Sequence, residues 1–153
     1  MVDKKFLIII PIVIVLIAVI GYSYSENIIN FNNATVGSTS FNIPNGYSEV
    51  NHTEDKITIK NNDHELTISE LDSDQLSAYL EKHKDAYDIS VTDSNINNIT
   101  AKKTTATDKK SGVQIHMYWF TKDNKNYFIR LKPDDSSSRK AMLYVVKTFN
   151  ATK

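Results

Sequence analysis

The feature that most limits what this chain can become is the unbroken apolar run Phe6 to Tyr22, FLIIIPIVIVLIAVIGY, preceded by Asp3, Lys4 and Lys5. At ~1.5 Å of rise per residue a helix over this run covers roughly 25 Å, and extension to Tyr24 brings it to about 28 Å, close to the ~30 Å hydrocarbon thickness of a bilayer. A cleaved signal peptide is the competing reading. Its apolar region is normally ~7 to 15 residues long and ends in a small-x-small site, which neither Ala18 with Ile20 nor Val19 with Gly21 supplies. Residues 1–22 are therefore expected to form an uncleaved single-pass anchor that meets membrane lipid through residues 6–22. Lys4 and Lys5 precede the span and no basic residue follows it until Lys56. The positive-inside rule then puts the N-terminus in the cytoplasm and the rest of the chain outside the cell membrane. Tyr22 and Tyr24 fall at the outer interface, and Pro11 in the early turns, where lost backbone bonds are tolerated. A pilin-like start lacks support, because no glycine processing site precedes Phe6 and no acidic residue lies early in the run.

A chain of 153 residues leaves room for one domain behind the span. The profile is globular: 41% hydrophobic residues, with 18 basic against 18 acidic side chains, too apolar for disorder and too balanced for a nucleic-acid-binding polycation. No nucleic-acid partner is expected. The absence of cysteine excludes a disulfide framework, a thiolate metal site and a cysteine nucleophile, so the core must hold by packing.

Residues 23–38 (SYSENIINFNNATVGS) are polar, rich in Asn and closed by Gly-Ser, which reads as a linker. Residues 39–153 read as the domain. Phe41 and Ile43 alternate before the turn Pro44-Asn45-Gly46, and Ile57 and Ile59 turn at Asn61-Asn62-Asp63 into Leu66 and Ile68. The period then changes: Asp72 or Ser73, with Gln75, forms a capping box for a helix carrying Leu76, Tyr79, Leu80, His83 and Tyr87. Extended chain follows through Ile89, Val91, Ile96, Ile99 and Ala101, without clear boundaries over residues 88–112. The strongest strand is Val113 to Phe120, partnered by Tyr127 to Lys132. A three-residue loop, Lys122-Asp123-Asn124, sets Trp119 against Tyr127, Met117 against Ile129 and Ile115 against Leu131, keeping one face apolar. Asp134 to Ser138 cap a last helix with the stripe Met142, Val145, Val146 and Phe149. The expected fold is α+β: a mainly antiparallel sheet with two packed helices. Trp119 is expected in the core between sheet and helix.

Phe41-Asn42-Ile43-Pro44-Asn45-Gly46-Tyr47, the mid-chain helix, Ile96-Asn97-Asn98-Ile99-Thr100-Ala101, the aromatic hairpin and the last helix together resemble small membrane-anchored PsbP-like domains of methanogenic archaea, over roughly residues 38 to 150. Such proteins commonly carry Asn-Gly-Val-x-Gly where this chain has Asn97-Asn98-Ile99-Thr100-Ala101. Asn98 can still adopt φ > 0, and Ala101 cannot do so cheaply. The resemblance implies a binding or scaffolding role and supplies no catalytic residue.

The residues themselves offer little catalytic chemistry. Ser137-Ser138-Arg139-Lys140 matches Ser-x-x-Lys without its companion motifs and reads as a helix cap. His52, His64, His83 and His116 lack ligand spacing, and Asp72-Ser73-Asp74 begins like a calcium loop without its glycine and glutamate. No cofactor, metal or catalytic residue is expected. Four Asn-x-Ser/Thr sequons, at Asn33, Asn51, Asn98 and Asn150, are candidate sugar acceptors in the exterior part, where chance predicts two or three.

Charge is unevenly placed. Ser23 to Thr100 has 4 basic and 13 acidic residues, a net of −9, and Ala101 to Lys153 has 12 basic and 4 acidic, a net of +8. Either the halves interleave and neutralise across strands, or Lys102, Lys103, Lys109 and Lys110 form a basic lobe in a mobile loop that meets lipid headgroups or an acidic envelope polymer. In the register above, Tyr118 lies opposite Phe128 and His116 opposite Arg130, which makes these four a candidate interaction face unless a helix covers it. The expected function is a non-catalytic, membrane-tethered binding or scaffolding module of the cell envelope, with an unknown envelope protein as a further partner. The alternatives are an auxiliary subunit of a membrane complex, marked by an exposed apolar patch around Tyr118 and Phe128, and a small exported hydrolase.

Overall fold

The computed structural model describes residues 17–19, 22, 32–73 and 75–151. The expected span over residues 6–22 lies almost wholly outside them, and no helix among the described residues is long and apolar enough to cross a membrane. What they form is an α+β fold dominated by antiparallel sheet. Ten strands follow in order: β1 (Asn33–Val36), β2 (Thr39–Asn42), β3 (Ser48–Thr53), β4 (Lys56–Lys60), β5 (Glu65–Leu71), β6 (Tyr87–Ile96), β7 (Ile99–Asp108), β8 (Gln114–Lys122), β9 (Lys125–Lys132) and β10 (Asn150–Ala151). Helix α1 (Leu76–His83) joins β5 to β6, and α2 (Ser136–Lys147) follows β9. The large sheet has the order β3-β4-β5-β9-β8-β7-β6, and a small one the order β1-β2-β10.

Three layers result. On one face of the large sheet, Ile57, Ile59, Leu66, Ile68, Tyr118, Phe120, Tyr127, Ile129 and Leu131 are buried beneath α2 and the small sheet, which contribute Ala141, Met142, Val145, Val146, Val36 and Phe41. On the other face, Ala106, Met117 and Trp119 are buried among half-buried Leu71, Leu76, Tyr79 and Phe128, with α1 as cover. The expected β4–β5 hairpin forms, pairing Ile57 with Ile68 and Ile59 with Leu66, and Asn61 Oδ1 accepts the N–H groups of Asp63 and His64 to fix its turn. Helix α2 is capped as expected, Asp135 accepting from the Ser138 N–H at 2.8 Å.

Three expectations are corrected. The strand β1, with Ala34 and Val36 buried, falls inside the segment read as linker. The mid-chain helix starts at Leu76 with no side-chain cap and stops at His83, so the capping box does not form and Tyr87 opens β6. The β8–β9 register is shifted by one residue. Its loop is the two-residue turn Asp123-Asn124, with φ of 51° and 60°, a type I′ geometry that matches strand twist and that Asp and Asn tolerate. Trp119 therefore faces Phe128, Tyr118 faces Ile129, Met117 faces Arg130 and His116 faces Leu131. The β6–β7 hairpin closes the same way at Asn97-Asn98, both at positive φ. Ala101 sits in regular strand, opposite Phe120, where no glycine is needed.

Candidate functional site

Helix α1 presents Leu76, Tyr79 and His83 on one stripe, at the i, i+3, i+7 spacing its sequence carries. That stripe lies across the sheet face at Trp119. Trp119 stacks on Phe128 at 5.2 Å, Tyr79 leans on Trp119 at 5.5 Å, His83 follows Tyr79 at 4.5 Å, and Tyr87 meets His83 edge-on at 5.7 Å. The row bridges sheet and helix with favourable aromatic geometry. Burial, helped by nearby Tyr87 and opposed by Arg130, pushes the Tyr79 hydroxyl above its ordinary pKa.

The cover is incomplete. No residue of α1 is buried, and two adjoining cavities that share Leu71 and Trp119 open beneath it. One, of about 400 Å³, continues along Ile99, Lys102 and Asn126, and the other, of about 260 Å³, runs under Tyr79 and Lys82 beside Met117. Protein cores leave few voids larger than a water molecule. The Trp119 indole N–H, in a residue only 8% exposed, is buried with no hydrogen-bond partner among the described residues. Among the described residues no carboxylate lines either cavity, while Lys102, Lys82 and His83 do. Such a cleft suits an apolar or aromatic group that carries a hydrogen-bond acceptor or a negative charge.

The opposite face holds a polar node. The Asp134 carboxylate, 2% exposed, accepts from Lys103 Nζ at 2.5 Å, Arg139 Nε at 3.0 Å and the Tyr118 hydroxyl at 3.3 Å, with His116 Nδ1 3.7 Å away. Burial alone would raise the Asp134 pKa, but the Lys103 hydrogen bond and charge, aided by Arg139 and His116, hold it below the usual carboxylate range. A carboxylate held by these three donors is a latch between β7, β8 and the start of α2. A third cluster gathers Glu54, Asp55, Glu70 and Asp72 around a cavity of about 710 Å³. Among the described residues, no group of three or more His, Asp or Glu is arranged to hold a metal.

The expected interaction face is divided. Tyr118, 4% exposed, and His116 sit under the α2 side, while Phe128 and Arg130 lie on the Trp119 face, Phe128 half-buried. A helix-bearing layer covers each ring, which is the covering weighed against the interaction reading. The four lysines likewise do not form a loop. Lys102 and Lys103 are neighbours in β7 and point to opposite faces. Lys102 pairs with Asp93, Lys103 with Asp134, and Lys109 lies 3.8 Å from Asp88 and donates to the Lys84 and Asp85 carbonyls. The Lys110 N–H belongs to the turn built on Asp108. With Arg130 on Glu65 and Lys125 on Glu70, the acidic and basic halves of the sequence neutralise each other across the sheet. Asn33, Asn51, Asn98 and Asn150 are all exposed, Asn98 at a turn tip. Sequence reasoning missed the Asp134 node. Its signal was the doubled acid Asp134-Asp135, of which a helix cap needs one.

No family model and no curated protein matches the chain. Among solved structures, the chain is similar to a protein of Bacteroides thetaiotaomicron known from a 1.50 Å crystal structure, with 14% identity and a TM-score of 0.51. The match covers 82% of this chain, which spans about half of that protein, 50% of its length. At this identity the likeness concerns the fold alone.

Proposed function

We propose that the protein is a non-catalytic binding module of the cell envelope, tethered by residues 6–22 with its domain outside the membrane, and that its ligand seats in the cleft around Trp119. One observation carries the reading: paired cavities beneath a helix with no buried residue, beside an indole N–H without a partner among the described residues. The tether rests on the apolar run behind Lys4 and Lys5. The resemblance to PsbP-like domains over residues 38 to 150 favours the same class, since such folds mostly bind or scaffold. An auxiliary-subunit role draws less support, because Tyr118 is buried and Phe128 half-buried rather than forming an exposed patch.

The test is purification of the full chain from detergent-solubilised native membranes, with native mass spectrometry of what accompanies it. Leu71 lines both cavities, so Leu71→Trp fills the cleft from its shared wall. A companion molecule present on the wild type and lost from a folded Leu71→Trp variant supports the cleft. A companion that stays bound to that variant refutes it.

A further inference from the structure

The large sheet ends in β3 and β6, and the two edges are built differently. Strand β3 has six residues and a bulge between Glu49 and Asn51, a device that kinks an edge and discourages further pairing. Strand β6 runs for ten residues in unbroken register with β7, from Tyr87 with Asp108 to Ile96 with Ile99. It carries no proline, lysine or bulge. Because the hairpin closes over the two-residue turn Asn97-Asn98, Ile96 and Ile99 form its first hydrogen-bonded pair, and Ser94, Thr92, Ser90 and Asp88 bond toward β7 in turn. Tyr87, Ile89, Val91, Asp93 and Asn95 therefore direct their N–H and C=O groups outward. Val91, 41% exposed, stands at the middle of this row.

We propose that β6 is a self-association edge at which two copies of the chain pair antiparallel about a two-fold axis at Val91, joining their sheets into one. The register follows from charge and shape. With Val91 against the partner's Val91, Ile89 faces the partner's Asp93, Tyr87 faces the partner's Asn95, and on the other face Asp88 meets the partner's Ser94 and Ser90 the partner's Thr92. Neither carboxylate of the strand opposes another, and each already has a lysine beside it, Lys102 at Asp93 and Lys109 at Asp88. An axis at Asp93 sets the two carboxylates face to face, and an axis at Ile89 leaves the last residues of the strand unpaired. The incoming strand also closes a cavity of about 390 Å³ that Leu80, Tyr87, Ile89 and Val91 line beside Lys84 and Lys109. It brings the partner's Asp93 toward those two lysines. This is strand addition with the partner chemistry written in the strand itself.

The chain has no cysteine, so a single introduced thiol reports one position. Residues facing each other across a hydrogen-bonded antiparallel pair have Cα atoms ~5.5 Å apart, within disulfide reach. In membranes carrying the full chain, mild oxidation of Val91→Cys is expected to give a disulfide-linked dimer, and Asn51→Cys on the β3 edge to stay monomeric. Val91→Lys, at an exposed position, opposes two cations across the axis and is expected to abolish the dimer seen by sedimentation in detergent, with Trp119 emission unchanged. Failure of Val91→Cys to link, equal linking through Asn51→Cys, or a dimer that survives Val91→Lys overturns the proposal. None of these outcomes depends on occupancy of the Trp119 cleft.

Discussion

Removing the Asp134 carboxylate tests how the layers are held together. Taking one partner from a buried ion pair costs ~3–5 kcal/mol, because the remaining charge is left without compensation. Lys103 is 25% exposed and Arg139 50% exposed, so both recover some water, which places Asp134→Ala near the low end, at about 3 kcal/mol. Arg139→Ala removes a half-exposed partner and leaves Lys103 in place, for ~1 kcal/mol or less. The single tryptophan, Trp119, lies on the opposite face of the sheet and reports unfolding without touching the node. In urea, with a slope of ~1–3 kcal/mol per molar, Asp134→Ala is expected to lower the midpoint by about 1 M or more at unchanged slope. The sign with pH follows as well. Folding lowers the Asp134 pKa even though burial opposes this. Its contribution is whole above the ordinary carboxylate range, ~3.9, and disappears as pH falls through the folded value. An Asp134→Ala midpoint no lower than that of Arg139→Ala would refute the latch.

Gly37 has φ +56° and no room for a side chain, since a Cβ there meets the Glu70 Cδ at 2.6 Å. The Glu70 carboxylate is held by the Ser38 N–H and hydroxyl, the Thr39 hydroxyl and Lys125, so Gly37→Ala is expected to cost about 2–4 kcal/mol in the same urea assay, through backbone strain and displaced bonds; an unchanged midpoint contradicts this. Burial keeps the His116 imidazole below its ordinary pKa of 6.5 although Asp134 pulls the other way. The stability it contributes is present above ~6.5 and is lost as pH falls toward the folded value, so His116→Gln is expected to flatten the fall in midpoint between pH 7 and pH 5, and an identical slope in the variant rules out His116 as its source.

Where one face of an element was buried, its pattern in the sequence sufficed. The Ile57, Ile59, Leu66 and Ile68 alternation revealed the β4–β5 hairpin because the opposite positions, Lys56, Thr58 and Lys60, are not apolar. Strand β8 is covered on both sides, by α1 at Trp119 and by the α2 layer at Tyr118 and Phe120. Its consecutive aromatics consequently carried no preference for one register, and the choice fell to a turn whose second left-handed residue, Asp123, was not anticipated. The cleft was legible only as the stripe Leu76, Tyr79 and His83. That the helix ends before Tyr87 depends on the demand for β6, which tertiary pairing rather than helical spacing decides. The charge asymmetry, by contrast, was read correctly as interleaving in one of its two forms, because partners such as Glu65 and Arg130 are far apart in sequence and lie on adjacent strands of the sheet.

The strand order has a consequence for how the chain acquires its structure. The hairpin β8–β9 is the last part of the large sheet to be made, yet it fills the centre, between β5 on one side and β7 on the other. Until residues 114–132 have emerged, the β3–β5 meander and the β6–β7 hairpin have no strand linking them, and α1 has no Trp119 or Phe128 on which to rest. Each fragment then presents an unsatisfied edge, β5 or β7, that becomes interior only on completion. Assembly thus waits for a late, non-local insertion, a pattern that slows folding and exposes strand edges meanwhile. A nascent chain halted before β8 is the form of this protein most in need of protection from its neighbours.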